Sequence, residues 1–229
     1  MLEQVLLWER DLFLYINHTH TDFLDRMMWL FTGKSVWIPL ILIVVFALVY
    51  KINYKQWLGV LFAIGLVVLL CDQFSSHLCK PLFTRFRPTH HPLFMDEVRT
   101  LFGYTGGNYG FISGHATNAF GFATLTALLF RKKFFTITIF IWAFLMGYSR
   151  VYIGVHFISD VVAGAVAGTI IGLLVYFVLC KVYKKWIKGE GVANYTVYSN
   201  NRGEVIATTI IIYVFSFSLF SQYLILYLR

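Results

Sequence analysis

The sequence predicts an all-α integral membrane protein: one membrane domain over residues 1–229, a bundle of about six transmembrane helices with an N-terminal amphipathic interfacial helix. Three observations predict it. Hydrophobic residues make up 59% of the chain and charged ones 13%, where an average soluble domain carries about 25% charged residues. The mean hydropathy is +0.70, so a water-soluble globule would lack the polar side chains to cover its surface. The apolar residues also gather in long unbroken runs without strand-like alternation. In lipid such runs satisfy their backbone groups only as helices.

The first element is MLEQVLLWERDLFLYIN. It has no basic leading region, and Glu3, Glu9, Arg10 and Asp11 interrupt its apolar residues, so it does not read as a signal peptide. Val5, Leu6, Trp8, Leu12, Phe13 and Ile16 fall near helical spacing. Two readings stand: a helix lying on the membrane surface, or a short helix packed on the bundle. Six apolar runs follow. The first centres on Val36 to Tyr50 and enters from about Met27; the second runs from Trp57 to His77 and carries one acid, Asp72. The third begins after Gly114 and ends at Phe130, the fourth covers Phe134 to Tyr148, the fifth Phe157 to Cys180, and the sixth Val205 to Leu228. A helical crossing needs about 17–25 residues. No repeat, low-complexity tract or linker divides the chain. Cys71, Cys79 and Cys180 form no C-x-x-C pair and read as buried apolar residues.

The net charge of +8 raises nucleic acid, anionic lipid or phosphate as partners. With six spans the loops alternate sides. Lys51, Lys55, Arg131 to Lys133, and Lys181 to Arg202 then share one side, with ten Lys and Arg against Glu190 and Glu204. The positive-inside rule makes that side cytoplasmic, and the long Leu78 to Ser113 loop faces outside. The charge excess is therefore a topology signal. Basic residues confined to short membrane-flanking loops argue against a nucleic-acid partner.

Three polar clusters flank apolar helices, where a charge costs at least about 2.5–3.5 kcal/mol near mid-membrane and usually serves a function. They are Lys80-x6-Arg87-Pro88, Ser113-Gly114-His115, and Ser149-Arg150-x5-His156-x3-Asp160. All fall on the predicted outer side. In order and spacing they resemble the three-part signature of the type 2 phosphatidic acid phosphatases, the PAP2 superfamily. The resemblance covers about Trp57 to Val175, a catalytic core over residues 57–175. It departs at Ile112, where the family usually has proline before Ser-Gly-His.

The chemistry of the residues agrees. His156 and Asp160 are i and i+4, one face of a helix, so the carboxylate can accept the imidazole N–H and fix the tautomer. His156 is then the expected nucleophile. The resemblance implies a phosphohistidine intermediate, with His115 protonating the leaving oxygen and then activating water. Lys80, Arg87 and Arg150 supply charge to the equatorial oxygens. Ser113 is expected as an N-cap, with the N–H groups of Gly114 and His115 at a helix N-terminus as an anion site. No metal and no cofactor is expected. The partner expected is a phosphorylated lipid in a bilayer: undecaprenyl diphosphate or a lipid A phosphate ahead of phosphatidylglycerophosphate or phosphatidic acid. Two rival readings use the same residues: phosphotransfer to a hydroxyl acceptor, and a non-catalytic lipid-binding or transport protein. Arg85 reads as a contact to a second phosphate or headgroup, or to lipid phosphates. Asp72 reads as charge balance or proton relay. FGYTGGNYG reads as a plain turn or a lid. His90-His91 and His18-x-His20 lack partner ligands for a metal.

Overall fold

The structure, a computed structural model, describes residues 2–186, 198 and 200–228. Lys188 and Glu190, two of the charges that orient the bundle, lie outside the described residues. The N-terminal segment forms α1 (Leu2–His18). α2 (Asp22–Thr32) starts where Thr21 Oγ1 accepts the Leu24 N–H, with Asp22 and Asp25 in its first turn, a favourable sign of charge for that end of the helix dipole. The chain leaves the helix at Gly33, passes through a single 3₁₀ turn at Ser35–Trp37, and re-enters as α3 (Ile38–Val49) with Pro39 in its first turn.

α2 and α3 meet at 74°. The first apolar run, expected as one helix from about Met27, is therefore a bent pair. Gly33 takes extended dihedrals, and proline near the next N-terminus begins a new helix without losing a hydrogen bond.

α4 (Tyr54–Asp72) is capped by Asn53, continues through a π-helical segment (Gln73–Cys79) into α5 (Lys80–Phe83), and stops at Thr84 with φ +43°. The remaining helices are α6 (Gly114–Phe130), α7 (Lys133–Tyr152), α8 (Ile158–Trp186), α9 (Asn200–Leu219) and α10 (Ser221–Leu228). Among the described residues four helical stretches are long and apolar enough to cross a membrane, or five with the bent pair counted as one span. α6 has only 17 residues. It occupies the centre of the bundle, packed against α8, α7 and α4, with most of its side chains buried.

The α6–α8 contact depends on small residues. Gly164, Gly168 and Gly172 repeat every fourth position, and a Cβ on Gly168 would sit 2.1 Å from the Thr117 carbonyl oxygen. Backbones this close are the membrane version of helix packing, in which van der Waals contact replaces the hydrophobic drive. On the opposite faces large apolar side chains point outward, Phe62 at 72% and Leu42 at 66% exposure, a surface that lipid solvates and water does not.

At the end carrying the 84–113 loop, α1 packs on the bundle. Phe13 is buried with Phe94, Val151 and Phe157, while Leu12 and Tyr15 stay exposed. Asn17 donates to the carbonyls of Arg99 and Tyr152 at 2.9 and 3.0 Å. Asp25 accepts from Tyr152 Oη at 2.6 Å and from Arg99, which clamps the loop to the ends of α2 and α7. The cysteines are free thiols; Cys71 and Cys79 are buried and Cys180 partly so.

Candidate active site

Lys80 begins α5, Arg87 lies in the following loop, Gly114 and His115 open α6, Arg150 closes α7, and His156 sits in the turn before α8. These six residues from separate segments line one cavity of about 590 Å³. Ser113 and Asp160 stand behind its wall, both fully buried.

His156 is not on a helix, contrary to the expectation of a shared helical face with Asp160. The turn delivers it instead. Asp160 is the third residue of α8, and its Oδ2 reaches back to accept the Phe157 N–H at 3.0 Å, the return half of a capping box. The same oxygen lies 3.4 Å from His156 Nδ1. On the other edge of the ring, Arg87 Nη1 lies 3.1 Å from Nε2 and also donates to the Val155 carbonyl at 3.1 Å. Arg87 is only a donor, so Nε2 is its acceptor and the ring proton belongs on Nδ1, facing Asp160. Complete burial drives the His156 pKa well below its usual value, and the cations of Arg87, Arg150 and Lys80 push the same way. The ring is neutral, and its long contact to Asp160 is a hydrogen bond rather than an ion pair. Burial and the nearby Arg150 also lower Arg87.

Asp160 has a stronger partner than the histidine. Arg85 Nη1 donates to its Oδ1 at 2.7 Å and to Ser159 Oγ at 2.6 Å, while Nη2 donates to Glu9 Oε2 at 3.0 Å. Ser159 Oγ in turn donates to Glu9 at 2.9 Å, and the Arg85 guanidinium lies over the Phe157 ring. Arg85 is thus turned inward, away from phosphate and from lipid headgroups alike. Glu9, read from sequence only as an interruption of an apolar helix, is 3% exposed and belongs to this network.

The glycine-rich loop is part of the site. Arg87 N–H donates to the Asn108 carbonyl at 3.0 Å and Gly110 N–H to that of Arg85 at 2.9 Å, around an antiparallel bridge between Phe86 and Tyr109. A Cβ on Gly110 would lie 3.0 Å from Asp160 Oδ2 and 3.5 Å from His156 Nδ1. The loop therefore packs tightly against the His156–Asp160 pair, and a side chain at Gly110 would have to displace Asp160 and Arg87.

Ser113 does not cap α6 through its side chain. Its N–H donates to the Asp160 carbonyl at 3.0 Å, its carbonyl accepts from Thr117, and its Oγ is buried without a partner among the described residues. Arg150 bonds Thr32 Oγ1 and lies beside Tyr104 Oη, 3.5 Å from Nη2. Lys34, in the bend between α2 and α3, and Tyr104 line the same cavity. Neither was singled out from sequence, although Lys34 is a charge inside an apolar run. His91 stacks on Phe94 with centroids 4.3 Å apart. Among the described residues no cluster of three or more His, Cys, Asp or Glu gathers at metal-binding spacing.

The family model described as "PAP2 superfamily" matches residues 56–184. A lipid A 4'-phosphatase of Porphyromonas gingivalis is 44% identical over 186 residues, 81% of this chain and 79% of that protein. A second lipid A 4'-phosphatase, from Bacteroides thetaiotaomicron, is 37% identical over 76% of this chain and 78% of its own length. Among solved structures, a transmembrane PAP2-type phosphatidylglycerolphosphate phosphatase from Bacillus subtilis superposes with a TM-score of 0.57 at 26% identity, covering 82% of this chain and 90% of that one. The matched segment begins on α4 and ends on α8, the stretch that carries all three polar clusters, and the chain belongs to the PAP2 superfamily as a membrane lipid phosphatase.

Proposed function

We propose that the chain removes a phosphate from a lipid A headgroup at the outer face of the cytoplasmic membrane, through a phosphohistidine on His156, with undecaprenyl diphosphate as the second substrate to test. One observation carries the reading: the cavity that holds the basic and histidine side chains continues as an apolar channel between α3, α4, α6, α7 and α9, past Leu48, Phe130 and Ile206. A phosphate at the charged end leaves its lipid tail in an apolar environment. α3 and α4 touch sparsely, and the half-exposed Ile41 and Val68 form the wall there, open toward the bilayer. The two lipid A 4'-phosphatases among the relatives support the substrate, and the basic side of the sequence supports the orientation.

In the proposed reaction Arg87 exchanges its contact with His156 Nε2 for the incoming phosphate, and the freed Nε2 lone pair attacks phosphorus as the phosphorus–oxygen bond to the lipid breaks. His115 gives a proton to the departing lipid oxygen. Water, deprotonated by His115, then attacks the phosphohistidine and releases inorganic phosphate and free His156. General acid–base help of this kind contributes about 10²–10⁴-fold. Lys80, Arg87, Arg150 and the opening N–H groups of α6 are assigned to the phosphoryl oxygens, while Ser113, behind the cavity wall, positions the start of α6 through its backbone. These fixed charges do the work often given to a metal ion. The test is phosphate release from purified lipid A, undecaprenyl diphosphate, phosphatidylglycerophosphate and phosphatidic acid in detergent with EDTA. Turnover is expected, highest on lipid A, and His156→Ala is expected to end it; full activity of that variant contradicts the mechanism.

A further inference from the structure

Below the phosphate-binding end, the channel wall changes character before it becomes fully apolar. Asp72 closes α4, Ser76 follows in the π-helical segment, and Lys80 comes next along the same stripe. Ser76 Oγ lies 3.4 Å from Asp72 Oδ1, and Lys80 Nζ lies 3.4 Å from Ser76 Oγ. Asn118, one helical turn deeper than Gly114 on α6, lines the same cavity from the facing side. Its Oδ1 is buried and has no hydrogen-bond partner among the described residues. A buried amide oxygen without a partner is expensive beside an apolar wall, and polar groups placed so usually mark a ligand path. Ser76 touches the phosphate-binding group only through Lys80, and Asp72 and Asn118 have no hydrogen bond to it among the described residues. Asp72 makes no ion pair among the described residues, which leaves its acceptor capacity facing the channel.

We propose that Asp72, Ser76 and Asn118 form a hydrogen-bond-accepting band that reads the lipid just beneath its phosphate, selecting phospholipids whose acyl chains carry amide N–H or hydroxyl donors near the head. The placement decides the chemistry. Lys80 and Gly114 mark the phosphate level, and the band begins directly beneath it: the Ser76 hydroxyl lies 3.4 Å from the Lys80 ammonium, and the Asp72 carboxylate a further 3.4 Å from that hydroxyl. At that depth an amide-linked, hydroxylated acyl chain presents donors. An ester-linked glycerolipid presents only acceptors there, and a polyprenyl chain presents nothing polar. The buried Asn118 Oδ1 gains a partner only from a lipid that brings a donor, so the band favours the first over the latter two. The inference rests on the lipid-phosphatase reading and narrows it to a substrate class.

The experiment compares two monophosphate lipids of matched chain length in the same detergent: ceramide 1-phosphate, with an amide N–H and a hydroxyl, and phosphatidic acid, with esters only. The wild-type protein is expected to favour ceramide 1-phosphate in kcat/KM by about tenfold or more. Asp72→Ala combined with Asn118→Leu is expected to bring that ratio toward one, chiefly through KM. A wild-type ratio near one overturns the proposal, and this needs no variant to fold. So does an unchanged ratio in the double variant with both rates lowered together, the result expected if Asp72 served only to orient Lys80. Failure of the wild type to release phosphate from either probe and from lipid A would instead remove the phosphatase reading itself.

Discussion

Asp160 holds three groups in register: the Arg85 guanidinium, the Phe157 N–H and the His156 ring. Its orientation therefore depends on residues that never reach the cavity. Replacing Arg85 by alanine leaves Glu9 and Asp160 buried and unpaired; breaking such a pair typically costs about 3–5 kcal/mol, so a lowered unfolding temperature in detergent is expected. Glu9→Gln keeps the shape and removes the charge. We expect it to lower kcat about tenfold with KM little changed, as a misoriented catalytic group would. Gly110→Ala forces a methyl against Asp160 Oδ2, and kcat is expected to fall by about 10²-fold. The lowered His156 pKa fixes the sign of the pH dependence. The ring is neutral and nucleophilic above its lowered pKa and loses its lone pair only below it, so the acid limb of kcat/KM should lie below pH 6.5. An acid limb above that value contradicts the assignment. The motif residues were legible in the sequence because their spacing is local to three segments. Arg85 was noticed but assigned to phosphate, and its pairing with Glu9 was not legible, since the two lie 76 residues apart and only the fold brings their charges together.

At the level of helices, the apolar runs gave the elements and the glycines set how closely they pack. Gly168→Val would drive a side chain into the Thr117 carbonyl, separating α6 from α8 and with them the His115 and His156 segments. Loss of folded protein on size-exclusion chromatography is expected. Gly65 is the control, because a Cβ there meets nothing within 4 Å; Gly65→Ala should be neutral or stabilising by up to about 1 kcal/mol. The runs did not reveal the bend at Gly33, because hydropathy averages over a break that leaves the flanking residues apolar. Nor did they reveal the π-helical turn at Gln73–Cys79, whose residues read as ordinary span. Both irregularities serve the site. The bend carries Lys34 and Thr32 to Arg150, and the π-helical segment carries Ser76 and Lys80 to the cavity.

Taken whole, the chain places its chemistry at one end of a bundle whose other end carries the basic loops. Reporters fused at Lys132 and near Thr105 should fall on opposite sides of the membrane, cytoplasmic and external; finding both on one side contradicts the proposed orientation. In the proposed mechanism His156 carries the phosphoryl group. This is tested by mixing the protein with lipid A in EDTA, quenching during turnover under conditions that preserve phosphohistidine, and reading the His156 peptide by mass spectrometry. A phosphate on that peptide, enriched in His115→Ala and lost in His156→Ala together with turnover, is the expected result. Continued phosphate release by His156→Ala, with no phosphate on that peptide in the wild type, would rule out His156 as the nucleophile.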